Sequence, residues 1–184
     1  EEILQLEKVH QALSIIQFKL ETQLIKRRPE FQMEDQVKLD DIDYLKECVT
    51  IDGKKYNLTN TCFQTINPAN PAELSLEESQ AVDSLLASFQ GSLKLAKHIE
   101  LLMKKGSMYK IYNQHLLFHG CIPLEPSGEL KPLIINQSRY AGRELLDFFE
   151  YHIRQAAKNK EIGDDFSTDL IWYCWRGAVS PLFG

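Results

Sequence analysis

Apolar residues recur at threes and fours near the start of the chain, at Ile3, Leu6, Val9, Leu13, Ile16, Leu20 and Leu24. That spacing predicts one long helix from Ile3 to Ile25 with a single apolar stripe, expected to face a core. Pro29 ends it, because the ring can neither donate to the helical ladder nor avoid the preceding turn. The carboxylates of Asp40-Asp41 predict the start of a short helix running to about Glu47. Alternation in CVTIDGKKYNLT around Asp52-Gly53 predicts a hairpin. Two prolines in INPANPAEL impose an extended connection. Ser75 followed by Glu78 is a capping box, so a helix is expected from Leu76 to about Phe89, continuing or restarting after Gly91 as far as Lys105, with Gly106 as its stop.

After residue 107 the periodicity shortens. SMYKIYN and HLLFHG are β-prone runs around Asn113-Gln114, expected to form a hairpin or two adjacent strands, with HLLF as a buried strand that ends at His119. EPSGEL reads as a turn, PLII as a short strand, Arg143 to Lys158 as a strongly amphipathic helix, and Asp164 to Trp175 as a buried aromatic element. No internal repeat or low-complexity segment interrupts this order. The expected class is α/β and helix-rich, with a mostly helical part over residues 1–106 and strand and turn chemistry gathered in 107–184.

Composition narrows the function classes. With 184 residues and 43% apolar content the chain can bury a core. Its net charge of −5 is spread along the sequence, which leaves no electrostatic footprint for nucleic acid. The basic cluster Lys26-Arg27-Arg28 closes the first helix, where cations complement the dipole and stay solvated. No apolar run approaches membrane-spanning length and no export signal is visible, so no membrane partner and a cytoplasmic setting are expected. Cys48, Cys62, Cys121 and Cys174 lie far apart without C-x-x-C spacing, in keeping with a reducing compartment. The sequons at Asn57 and Asn136 then read as chance matches. The chain opens on Glu1-Glu2 in mid-pattern and closes on Ser180-Pro181-Leu182-Phe183-Gly184, which reads as an excerpt from a longer protein.

The candidate chemistry lies in the second part. His119 ends an apolar strand and precedes Gly120, so its imidazole can project into a crevice at the strand end while the glycine lets the backbone turn. A neutral imidazole there suits Mn²⁺, Fe or Zn²⁺; the plainer alternative is a hydrogen bond to a carbonyl at a sheet edge. His115, four residues earlier, would lie about 13 Å away in an extended strand and cannot share an ion with it, so it is read as a loop residue beside the turn. His10, His98 and His152 sit on helices as surface or boundary residues. Cys121, two positions from His119, is a weak thiol-nucleophile candidate without an orienting third group. Arg176-Gly177, read as a strand-to-loop transition, suits bidentate recognition of a phosphate group, with a structural ion pair as the alternative. In DLIW, Asp169 is a cap candidate and Trp172 a core residue.

GSMYKIYNQHLLFHGCIPLEPSGEL together with DLIWYCWRGAVSPLFG resembles class III fructose-1,6-bisphosphatase, a bacterial enzyme of the calcineurin-like metallophosphatase superfamily, over about Leu76 to Gly184. The first helix fits the same family less distinctively. The resemblance implies an αββα sandwich whose strand ends hold two metal ions, Mn²⁺ in this family, that activate water to attack the 1-phosphate of fructose 1,6-bisphosphate in gluconeogenesis. It carries a metal-ligand role onto His119 with Gly120 at its turn, and a phosphate-binding role onto Arg176 with Gly177 and Ala178. It makes residues 107–184 a segment of the catalytic core and 1–106 an insertion or cap. The superfamily's D-x-H, G-D-x-x-D-R-G and G-N-H-[DE] motifs do not occur here, and Gly163-Asp164-Asp165 continues with Phe166 and leaves the pattern. The remaining ligands are therefore expected outside this sequence, and the isolated chain is expected neither to hold the metal pair tightly nor to hydrolyse sugar phosphates. The competing expectation is a helical interaction or oligomerisation module, with a second copy of the chain as a candidate partner.

Overall fold

The computed structural model describes residues 2–59, 61–159 and 165–182; the side chain of Ile3, the pair Gly163-Asp164, and Phe183-Gly184 lie outside the described parts. The chain divides into two compact units, Glu1–Gly91 and Ser92–Gly184.

In the first unit the long helix forms as α1, Glu2–Arg27. Its facing is a correction to the expected core stripe. Leu6, Val9, Leu13 and Leu20 are exposed and Ile16 is half-buried, so of the described side chains in the expected stripe only Leu24 is buried, beside Lys19, Thr22 and Ile25. The inward stripe is rotated because Lys19 finds partners inside: its Nζ donates to the carbonyl of Thr65 and to Glu78 Oε2, each at 2.7 Å. Gln23 adds a bond to the Ala72 carbonyl at 2.6 Å. At the helix end Lys26 pairs with Asp40 at 2.7 Å, in solvent.

The helix expected from Asp40 to Glu47 does not form. A single 3-10 turn covers Leu39–Asp41 and is followed by strand β1, Ile42–Asp43. Asp43 then accepts a hydrogen bond from the backbone N–H of Lys46 at 3.1 Å and Glu47 takes a left-handed φ of 47°, so a side-chain bond replaces the helical ladder. Strands β2, Cys48–Ile51, and β3, Lys54–Asn57, complete a three-stranded antiparallel sheet in order β1-β2-β3. Asp52 and Gly53 turn the hairpin with φ of 50° and 74°, the two positive values that such a turn requires. Helix α2, Leu76–Gln90, starts with both halves of the capping box: Ser75 Oγ accepts from Glu78 N at 3.2 Å, and Glu78 Oε2 accepts from Ser75 N at 2.7 Å.

The second unit begins with α3, Leu93–Lys105, capped by Ser92 and stopped where Gly106 N–H donates to the Leu102 carbonyl. Strands β4, Tyr109–Tyr112, and β5, His115–Phe118, form an antiparallel hairpin whose turn residues Asn113 and Gln114 have φ of 48° and 63°. Two expectations need correcting here. His115 is the first residue of β5, paired with Tyr112, instead of a loop residue. HLLF is exposed along its whole length, because the hairpin is a two-stranded sheet with no third strand paired to it among the described residues. The PLII strand forms as β6, Leu133–Ile135, and is half of a further hairpin with β7, Ser138–Tyr140, which the sequence reading missed. Asn136 and Gln137 turn it with φ of 48° and 70°, the same residue pair that joins β4 to β5.

Helices α4, Arg143–Lys158, and α5, Phe166–Arg176, supply the core of this unit through Leu145, Leu146, Phe149, Leu170 and Tyr173. Phe149 and Tyr173 stack at 6.2 Å. Arg154 of α4 donates to the carbonyls of Met103 at 2.5 Å and Gly106 at 2.8 Å, and so satisfies the free end of α3. The cap of α5 is Asp165, not Asp169: its carboxylate accepts from the N–H groups of Ser167 and Thr168, while Asp169 lies buried in the first turn. No helix among the described residues is long and apolar enough to cross a membrane.

His152 on α4 is wedged against Phe148 and Phe166 and its Nδ1 lies 2.8 Å from Ser167 Oγ. Burial pushes its pKa down, opposed by the Asp165 carboxylate. A group held neutral in this way contributes stability above its ordinary pKa near 6.5, and the contribution is lost as pH falls through the lower folded value. Thermal midpoints measured from pH 7.5 down to 5 should therefore fall less steeply for His152→Gln than for the unaltered chain.

Candidate functional site

His119 directly follows the last residue of β5, so the hairpin register sets its starting direction. It is exposed and makes no hydrogen bond among the described residues. The alternative of an imidazole tied to a sheet-edge carbonyl therefore has no partner there. Gly120 follows with φ of 82°, a left-handed value that L side chains rarely adopt, and a Cβ added to it would lie 2.2 Å from the carbonyl oxygen of Pro181. The strand has ended before this point, so His119 and Cys121 do not share a strand face as the thiol hypothesis required. Cys121 instead donates its N–H to the Pro181 carbonyl at 2.9 Å, and its Sγ lies 3.6 Å from the carbonyl of Ser180.

Arg176 is the last residue of helix α5, where a strand-to-loop transition was expected. It is exposed and has no ion-pair partner among the described residues. Gly177 has an ordinary φ of −73°, so conformational freedom is not its use. Its use is close approach: a Cβ there would lie 2.2 Å from Cε1 of Tyr173. Residues 177–182 then double back in a turn in which Ser180 N–H donates to the Gly177 carbonyl at 3.0 Å. That turn meets the Gly120-Cys121 backbone, so the two motifs quoted above converge through main-chain contacts. Ser180, Pro181 and Tyr173 carry the convergence; the only signal for them in the sequence is the small, turn-forming Ser-Pro pair after a glycine.

Imidazole is a suitable ligand for Mn²⁺, and one accessible ring fills one position of a coordination sphere. Among the described residues no group of three or more His, Cys, Asp and Glu could hold an ion. The residues present therefore fit a metal centre as a single contributor. Cys174, on the buried face of α5, has its thiol pushed up to about 12 by burial and is no nucleophile at neutral pH. A cleft of about 210 Å³ beside Leu102, Met108 and Ile153 also takes in Glu150 and Arg154, but those two charges are committed to each other.

The Firmicute fructose-1,6-bisphosphatase family matches the chain over residues 1–184. The chain belongs to that family. Among its relatives, class 3 fructose-1,6-bisphosphatases of Streptococcus gordonii and Streptococcus sanguinis are 84% and 78% identical to it over 184 residues, the whole of this chain and 29% of each relative. One from Staphylococcus epidermidis is 54% identical over 180 residues, covering 98% of this chain and 28% of the relative. The chain thus spans about three-tenths of the length of these relatives, at 29% of the first two. No solved structure matches it. The family match covers the first helix, which the resemblance fitted less distinctively, as well as the motifs around His119 and Arg176.

Proposed function

We propose that this chain is part of a cytoplasmic fructose-1,6-bisphosphatase that releases the 1-phosphate of fructose 1,6-bisphosphate in gluconeogenesis. Residues 107–184 contribute to the catalytic core, within an αββα metallophosphatase sandwich, and residues 1–106 serve as an insertion or cap. The observation that supports this most is the joining of the His119-Gly120 turn to the end of the helix carrying Arg176, with both side chains exposed and unengaged among the described residues.

A pair of Mn²⁺ ions would supply Lewis-acid charge and an acidified water when bound. His119 offers its neutral imidazole as one ligand. Arg176 offers a fixed positive fork to the non-bridging oxygens of the phosphoryl group, where negative charge must be stabilised during transfer. In the full-length protein, His119→Ala is expected to lower Mn²⁺-stimulated phosphate release by at least about 100-fold, the scale of such charge stabilisation. Arg176→Ala is expected to raise KM for the bisphosphate by about 10-fold or more, since a charge-assisted hydrogen bond is worth about 1.5–3 kcal/mol. Unchanged release by His119→Ala would overturn the assignment. The isolated chain is expected to release no phosphate.

A second reading, a helical interaction or oligomerisation module, is favoured by one observation: α1 leaves Leu6, Val9 and Leu13 in solvent. Sedimentation of the isolated chain tests it, and a strict monomer across the micromolar range removes it.

A further inference from the structure

Ser180 is 1% exposed, and its hydroxyl makes two hydrogen bonds. It donates at 2.7 Å to the carbonyl of Cys174, in the last turn of α5 where carbonyls lack helical partners. It accepts at 3.1 Å from the N–H of Leu182. Between these two anchors stands Pro181, whose carbonyl takes the Cys121 N–H at 2.9 Å and leaves no room for a side chain on Gly120. One hydroxyl therefore ties the helix end that carries Arg176 to the strap that holds the turn after His119. The geometry points to Ser180 as a positioning residue for the candidate metal and phosphate site, acting on His119 through Pro181 and on Arg176 through the end of α5. Its buried hydroxyl is engaged by backbone groups, so the role is indirect. This rests on the reading of His119 as a metal ligand.

Alanine at this position leaves the Cys174 carbonyl without its side-chain donor and frees the strap to shift by the few tenths of an ångström that loosen a ligand. Outer hydrogen bonds that orient metal ligands are worth about 10-fold to 100-fold in affinity. In the full-length protein, Mn²⁺ alone is titrated calorimetrically into the unaltered enzyme and into Ser180→Ala, Ser180→Thr and His119→Ala, each first shown to be folded by a cooperative thermal transition. Ser180→Ala is expected to weaken Mn²⁺ binding about 10-fold or more and to raise KM for the bisphosphate, and Ser180→Thr, which restores a hydroxyl, to recover most of both. Mn²⁺ affinity of Ser180→Ala within about twofold of the unaltered protein, with His119→Ala weakened, overturns the positioning role and leaves the ligand reading standing. Undiminished affinity in His119→Ala overturns that reading and this inference with it. Should Ser180→Ala fail to fold, Ser180→Cys, close in volume with a weaker donor, is judged by the same criteria.

Discussion

Replacing Lys19 with methionine while Glu78 stays in place is expected to lower the stability of the first unit by about 3–5 kcal/mol, the cost of leaving one member of a buried ion pair behind. The pair is sealed, with Lys19 at 0% and Glu78 at 7% exposure. Each member also makes a second bond: Glu78 Oε2 receives both the ammonium and the Ser75 N–H that closes the capping box, while the ammonium reaches the Thr65 carbonyl as well. Urea denaturation of the intact chain, followed by circular dichroism, should show the earlier midpoint at little-changed slope. Lys19→Met combined with Glu78→Leu should recover part of the loss, because two apolar groups of similar volume leave no buried charge behind, while the Ser75 N–H and the Thr65 carbonyl still lose their side-chain partners. The acid limb checks the same atoms. Burial works to raise the Glu78 pKa, but bonds from Lys19, Thr65 and the Ser75 backbone outweigh it and hold the carboxyl below its ordinary 4.5. Its contribution is complete above that value and is lost as pH falls through the lower folded pKa, so the acid-side decline should flatten in Glu78→Gln. A Lys19→Met variant within about 1 kcal/mol of the unaltered chain would show that the pair is not sealed in solution.

This pair also marks where the sequence stops being informative. The capping box, the Gly106 stop and the Asp52-Gly53 and Asn113-Gln114 turns were legible because each depends on backbone chemistry within three or four residues. Which face α1 turns inward was not, because the partner that rotates Lys19 inward is 59 residues away and no periodicity encodes it. The Asp40 to Glu47 helix fails for a local reason, an aspartate able to bond the backbone three residues on. At the site, the turn after His119 was readable from the glycine, and the resemblance picked out both motifs. What neither gave is how the motifs meet: the contact runs through the carbonyl of a proline, and a carbonyl has no residue type to read. The exposure of β4 and β5 was equally hidden, since an apolar run looks the same whether its cover lies within the chain or outside it.

Gly177→Ala is expected to be a severely damaging single-methyl change in the second unit, at about 3 kcal/mol, the upper end for overpacking a close-packed interior. The added carbon would stand 2.2 Å from Cε1, 2.3 Å from Cζ and 2.5 Å from Cδ1 of Tyr173, so it meets a ring edge and not the free end of a flexible side chain. The ring has nowhere to go: it is 2% exposed and stacked on Phe149, and the Val179 N–H reaches its hydroxyl at 3.4 Å. Relief must come from the backbone of residues 177–180, which carries the strap to Gly120 and adjoins Arg176. Stability and function should therefore fall together, with KM for the bisphosphate raised in the full-length protein even under conditions where the variant remains folded. A double-mutant cycle separates the clash from other causes. Tyr173→Ala opens a cavity and is itself destabilising, but in that background the extra methyl has room, so Gly177→Ala should then cost less than about 1 kcal/mol, and the two changes should be strongly non-additive. Additive costs would mean that the ring does not abut the glycine, and the explanation of Gly177 as the point of closest approach behind Arg176 would be wrong.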